Sequence, residues 1–324
     1  MINGSAIHRV NMTTKTLLPL RHPNRDFFIA DILDASPRDD MASMENPIFS
    51  LSKNPDTSIK EYTHNGHKLT VTPSVLGRAN IWDKDILIYC TSQLIAGINL
   101  GREPSPTVRI TAHDLLTATN RHTGGKNYSQ LVNAFERLAG TRLKTDIKTG
   151  DERELQGFGL IDRWKIVENQ QIEERMAFID VTLSDWLYRA VLSKEVLSIN
   201  PDYFRLRGGI ERRVYELARK HCGKQSKWRI GIELLHKKSG SQSSIKHFRH
   251  QAKRIVNSEI MPDYKLSFDE EKDQVTFYNR KGNKAAKAQF DDQMKELFMP
   301  PQQQRRTKNS STKSAEKQLT FGLK

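Results

Sequence analysis

Residues 111–140 read TAHDLLTATNRHTGGKNYSQLVNAFERLAG, and the reading of this stretch decides the fold. The pair Gly124-Gly125 runs into Lys126, as in the phosphate-binding loop of an ATPase. That loop needs a glycine five places before the second glycine and a Ser or Thr after the lysine. Positions 120 and 127 are both Asn, so neither requirement is met. The glycines suit the turn of a helix-turn-helix instead. Thr111 is placed to cap the first helix, and Tyr128, Leu131, Val132, Phe135 and Leu138 recur at helical spacing in the second.

Upstream, Asp83 to Ile98 has apolar residues at Ile86, Leu87, Tyr89, Cys90, Leu94 and Ile95, a helix with one wide buried face. Before it, IFSL (48–51) predicts a short strand, and EYTHNGHKLTVTPS (61–74) a hairpin turned at Asn65-Gly66 by a type I′ turn. The first forty or so residues, with prolines at 19, 23 and 37, read as an irregular arm that packs through Phe27-Phe28-Ile29. Downstream, TRLKTDI (141–147), GFGLIDRWKIV (157–167) and ERMAFIDVTLS (174–184) predict three strands, with KTGDERE (148–154) as a hairpin tip. The helix SDWLYRAVLSKE (184–195) closes this unit. Helix, helix, helix, hairpin is the order of a winged helix.

A second round follows INPDYFRLRGG (199–209). IERRVYELARKHC (210–222) is an amphipathic helix and IGIELLHKK (230–238) a short one. SIKHFRHQAKRIVNS (244–258) is a third helix, with Ile245, Phe248, Ala252 and Ile255 on its buried side. YKLSF and QVTFY make a hairpin around DEEKD (269–273). HDLLTAT (113–119) lines up with IELLHKK (232–238), and each is followed by a Gly/Ser turn and a longer helix. Internal repetition of this kind fixes an architecture. The expected fold is α+β: an arm over 1–45, winged-helix domains over 46–195 and 196–280, and a disordered basic tail over 281–324.

Charge points to the partner. The chain of 324 residues carries a formal net charge of +14. From Arg280 to Lys324 there are eleven Lys/Arg against four Asp/Glu, a surplus of +7, so half the net charge sits in the tail. Such a surplus attracts a polyanion, nucleic acid first and an acidic membrane surface second. No apolar run is long enough to span a bilayer and no signal-peptide core is present, which predicts a soluble cytoplasmic protein without membrane attachment. Cys90 and Cys222 make no disulfide framework and read as buried free thiols.

The donors suited to DNA lie on the exposed faces of the two longer helices. In the first unit these are Lys126, Asn127, Gln130, Asn133 and Arg137. In the second they are Gln242, Lys246, Arg249, His250 and Lys253, with Ser241, Ser243 and Ser244 at the helix start to receive a backbone phosphate. The first wing is expected to bring Lys144, Lys148 and Arg153 to the backbone or minor groove. The second wing tip, DEEKD, is acidic and ill suited to phosphates. None of the ten histidines forms a His-x-His pair, and the spacings 64/67 and 247/250 gather no further ligands. No catalytic residues, metal or cofactor are therefore expected, and the chain reads as a binding protein rather than an enzyme.

Several stretches together resemble the plasmid replication initiators of the replication initiator protein A (RepA) type. They are RDFFIADILDASPRDDMASMENPIFSLS, RITAHDLLTATNRHTGGKNYSQLVNAFERLAGT, GFGLIDRW, VTLSDWLYRAV, NPDYFRLRGGIERRVYELARKHCG and WRIGIELLHKKSGS, spread over most of residues 26–265. The resemblance implies a bacterial cytoplasmic protein that binds double-stranded plasmid origin DNA and recruits host initiator and helicase-loading proteins. It also implies a monomer that binds repeats and a dimer that represses its own gene. The competing reading is a transcriptional repressor with duplicated winged helices and no initiation role. At the chain end, QLTFGL (318–323) loosely resembles the Gln-Leu-x-Leu-Phe peptide that docks on the bacterial sliding clamp. Phe321 comes one place early and no Leu-Phe pair follows, so the match reads as chance.

Overall fold

The computed structural model describes residues 17–21, 37–64, 67–149, 152–168, 177–223 and 225–280. The Phe27-Phe28-Ile29 patch, the Asn65-Gly66 turn, the basic tail and QLTFGL lie outside the described residues.

The chain does not stay irregular up to residue 45. β1 (Arg38–Asp40) leads into α1 (Met41–Glu45), which Asp40 caps by accepting the Ser43 N–H at 2.7 Å. IFSL is not a strand. Ile48 and Phe49 are both buried, which an alternating strand on one face cannot do, and only Ser50 forms a lone bridge, to Asn80. The hairpin forms as expected, as β2 (Lys60–His64) and β3 (His67–Thr72).

α2 (Lys84–Asn99) buries Ile86, Leu87, Ile88, Tyr89 and Cys90 in one continuous run, so it is surrounded by protein through its first turns. β4 (Thr107–Thr111) follows, then α3 (Ala112–Ala118), where the Thr111 hydroxyl accepts the Asp114 N–H at 3.0 Å. Asn120, at φ +57°, turns the chain towards α4 (Gly125–Gly140). Leu131, Ala134, Phe135 and Leu138 of α4 are buried, while Val132, in the same apolar spacing, is 37% exposed.

The strands after α4 depart from the expected single hairpin. β5 (Arg142–Thr149) and β6 (Glu152–Gly159) join the first hairpin in a four-stranded antiparallel sheet of order β2-β3-β5-β6. The GFGLIDRWKIV stretch is not one strand but breaks at Leu160. β7 (Ile161–Glu168) then enters a different sheet with β8 (Ala177–Leu183) and β4, in the order β4-β8-β7. α5 (Asp185–Leu192), capped by Ser184, ends this half.

β9 (Val196–Ser198) pairs antiparallel with β1, so the expected domain boundary at 195/196 falls beside a strand that ties the N-terminal segment to the middle of the chain. Then come α6 (Gly209–His221), β10 (Lys227–Gly231), α7 (Ile232–Ser239), α8 (Ile245–Ser258), β11 (Tyr264–Asp269) and β12 (Gln274–Asn279). The helix expected over 230–238 begins two residues later, at Ile232, because Ile230 and Gly231 end β10. The sheet order is β10-β12-β11. The path α6-β10-α7-α8-β11-β12 thus repeats α2-β4-α3-α4-β7-β8, with the same strand order in both sheets.

One apolar core runs through both halves, and buried ion pairs join their leading helices. The fully buried Lys84 Nζ of α2 lies 2.7 Å from Asp39 Oδ2 and 3.1 Å from Glu216 Oε1 of α6. Glu216 also accepts from the Tyr203 hydroxyl at 2.7 Å and pairs with Arg213 at 3.1 Å. Asp85 of α2 accepts from Arg212 of α6 at 2.6 Å and from Arg121 at 2.9 Å. Burial pushes the Asp39 carboxyl well up, because one lysine does not offset it and Glu216 and Asp40 add repulsion. Burial acts on Glu216 too, but Lys84, Arg213 and the Tyr203 hydroxyl outweigh it and hold that carboxyl below its usual range.

Candidate nucleic-acid interface

α8 carries the densest row of donors. Ser244 caps it by accepting the His247 N–H at 3.3 Å. With Phe248, Ala252 and Ile255 buried, the helical period turns Lys246, His250 and Arg254 outward, and all three are exposed. Among the described residues none of the three takes part in an ion pair. Arg254 was missed in the sequence, though it lies four residues after His250 on the same row. Arg249 and Lys253 are different. The Arg249 guanidinium grips Asp273 through Nε and Nη2, each at 2.7 Å. This pair holds the Asp273 carboxyl below the usual carboxylate range. Lys253 Nζ lies 2.5 Å from Glu270 and 4.9 Å from the centre of the Phe268 ring. The acidic loop at 269–273 is therefore turned against the helix.

The residues before α8 are bound to one another and to the first half. The Ser241 and Ser243 hydroxyls are 2.9 Å apart, and Gln242 accepts from Lys60 of β2 at 3.1 Å. Gly240, at φ +70°, sits against Pro47, and a Cβ there would come within 2.4 Å of it. Ser241 and Ser243 are half-buried and Ser244 is exposed. Of the three serines, only the capping one stands open at the helix start.

On α4, Lys126, Gln130 and Asn133 are exposed and Asn127 is half-buried. Arg137 is held by Asp83, Nε to Oδ2 and Nη2 to Oδ1, both at 2.7 Å. The face that the sequence placed towards open solvent lines a cleft of about 600 Å³. Arg207 and Arg212 from the second half line it too, with Lys53 and Arg121 from the first, and Arg121 and Arg212 are both paired with Asp85. Residues 17–21 cross beside it. Arg21 donates to Asn120 through its backbone N–H and its side chain, both at 2.9 Å, and Leu18 exchanges hydrogen bonds with Arg205 at 3.0 and 2.7 Å.

The expected first wing needs correcting. Lys144 is exposed on β5, and Lys148 and Arg153 face each other across the β5–β6 register. The side chains of Lys148 and Arg153 lie outside the described residues. This hairpin extends the β2–β3 sheet and is not the counterpart of the β11–β12 loop. That counterpart is the β7–β8 connection, residues 169–176, also outside the described residues. The physical reason is pairing: β3 offers β5 an open edge, whereas β8 pairs with β4.

Among the described residues, no three His, Cys, Asp or Glu gather as metal ligands would. No described helix is long and apolar enough to cross a membrane. Cys90 and Cys222 are buried free thiols, and burial raises both, to about 12 and about 11.

A family model described as "Replication initiator protein A" matches residues 38–266. A "Putative replication protein" of Wigglesworthia glossinidia brevipalpis is 39% identical over 269 residues, covering 82% of this chain and 98% of that protein. Two crystal structures of domains 2 and 3 of RctB share the fold. One has a TM-score of 0.57 at 11% identity, covering 74% of this chain and 98% of the other. The second has a TM-score of 0.52 at 9% identity, covering 76% and 98%.

Proposed function

The chain belongs to the replication initiator protein A family, and on that premise we propose that it starts plasmid replication by binding repeated origin DNA through two winged-helix units. The observation that carries this reading is the repeated path: strand, helix, helix and two further strands, with sheet orders β4-β8-β7 and β10-β12-β11. α4 and α8 occupy the same place in each repeat, the place of the helix that enters the major groove.

Lys246 and Arg254 give α8 charge for the phosphates, with Ser244 and the first-turn amides at its N-terminus. His250 and the amide side chains suit base edges. α4 brings Lys126, Asn127, Gln130 and Asn133, and Lys144, Lys148 and Arg153 lie on the neighbouring hairpin for backbone contact. Several copies on successive repeats bend the origin and favour opening of a nearby A·T-rich segment. Host initiator and helicase-loading proteins then supply the ATP-driven step, in the bacterial cytoplasm. No covalent step and no cofactor enters this scheme, and a monomer–dimer equilibrium separates initiation from repression of the protein's own gene.

The test is a footprint of the full chain on the plasmid's non-coding DNA over a salt series. Protection of several in-phase direct repeats beside an A·T-rich stretch supports the initiator. Protection confined to one inverted repeat over a promoter leaves a repressor.

A further inference from the structure

The loop joining β11 to β12 places four carboxylates and one lysine beside the helix assigned to DNA. Facing phosphates, it would repel them. It faces α8 instead, and Asp273 is fixed from two directions. Its backbone, at φ +46°, accepts the Ile232 N–H at 2.9 Å, which pins it to the start of α7. Its carboxylate takes Nε and Nη2 of Arg249, each at 2.7 Å.

A guanidinium has five N–H groups in one plane. Asp273 uses two of them, on one edge. The adjacent edge, between Nη1 and Nη2, keeps a fork of two parallel N–H bonds. The Arg249 side chain is a third exposed, and it lies in the second turn of α8, in the half of a recognition helix that meets base edges. Two kinds of acceptor fit such a fork: a phosphate, and the O6/N7 pair of guanine. Charge decides between them. The Arg249–Asp273 pair is neutral as a unit, so its pull on a phosphate is largely cancelled by the carboxylate. The direction of its hydrogen bonds is not cancelled, and guanine presents neutral acceptors. Glu270 neutralises Lys253 one turn further on in the same way, which strengthens the same bias.

We propose that Arg249 reads a guanine in the origin repeat, with Asp273 as the positioning residue that locks its guanidinium in the reading orientation. The acidic wing tip thereby becomes a specificity device, and phosphate contact falls to Lys246 and Arg254. This rests on the reading of α8 as a DNA-reading helix.

The experiment uses the full chain and the duplex repeat found by footprinting, with each base pair replaced in turn, and measures affinity at fixed salt. The wild type is expected to prefer G·C at one position, by about 5- to 150-fold. Arg249→Lys, which keeps the charge and loses the fork, is expected to abolish that preference and leave the others intact. Asp273→Asn is expected to weaken the same preference at least about threefold. Thermal melting of each variant checks that it folds.

Unaltered base preferences in Arg249→Lys would overturn the inference and leave α8 as a DNA-reading helix. So would an Asp273→Asn variant that keeps the full preference at that position, since Asp273 would then not position the guanidinium. A wild type that binds every duplex alike would remove the reading of α8 itself.

Discussion

Replacing Lys84 with Met tests how the two halves are held together. The lysine is fully buried, with Asp39 at 2.7 Å and Glu216 at 3.1 Å. Methionine fills a similar volume without the charge. Glu216 keeps Arg213 and the Tyr203 hydroxyl, but Asp39 loses its cation inside the core. Removing one partner of a buried ion pair costs about 3–5 kcal/mol. The ceiling on the share of Asp39 can be set separately. Keeping a carboxyl protonated at pH 7, against a value of about 3.9 in the unfolded chain, costs about 4 kcal/mol at about 1.36 kcal/mol per pH unit.

The sign in pH follows from the same carboxyl. Its folded value is already raised by burial, so its favourable share is complete below the unfolded value and is lost as pH rises through the folded one. Without Lys84 the folded value moves further up, and the loss extends to higher pH. Urea unfolding of the full chain at pH 5, 6, 7 and 8 is expected to show a deficit of about 4 kcal/mol near neutrality. The deficit should grow with pH, by at most about 1.4 kcal/mol per unit. Adding Asp39→Asn to the variant should flatten that growth. A deficit below about 1 kcal/mol at pH 7, or one that shrinks from pH 5 to pH 8, would refute the reasoning.

Three further outcomes are expected. Gly240→Ala forces a side chain into left-handed backbone and onto Pro47; the backbone alone costs about 1–2 kcal/mol, and the urea midpoint should fall accordingly. Glu45 is held well below its usual range by contacts with His221, at 3.1 Å, and Lys238. Its contribution is present above the unfolded value of about 4.3 and is lost progressively as pH falls towards the lowered folded value, so Glu45→Gln should cost about 1–2 kcal/mol at pH 7 and progressively less below about pH 4. Lys246→Ala should weaken binding to all repeat sequences about equally and reduce the slope of log K against log salt by about 1, as read in a salt titration.

Helices α3, α4 and α8 were legible because their signals are local. Thr111 and Ser244 cap α3 and α8, and Phe248, Ala252 and Ile255 mark the buried side of α8 at helical spacing. The repeat was legible for the same reason, since each round carries its own caps, turn and period. β4 and β10 were not. They are five residues each, and they are strands because β8 and β12 pair with them. The β5–β6 hairpin looked like a wing in the sequence, but its sheet was decided by β3, some seventy residues earlier.

The candidate site divides along the same line. Sequence alone determined that α4 and α8 would present polar faces and that the chain would seek a polyanion, because periodicity and net charge need no knowledge of distant neighbours. Only the tertiary structure decided which cations remain available. Asp83 holds Arg137 and Asp273 orients Arg249 across gaps of 54 and 24 residues, and α4 lines a cleft shared with the second half. A side chain's charge is written in the chain, but whether a carboxylate comes within about 3 Å of it depends on how the sheets pair and the helices pack.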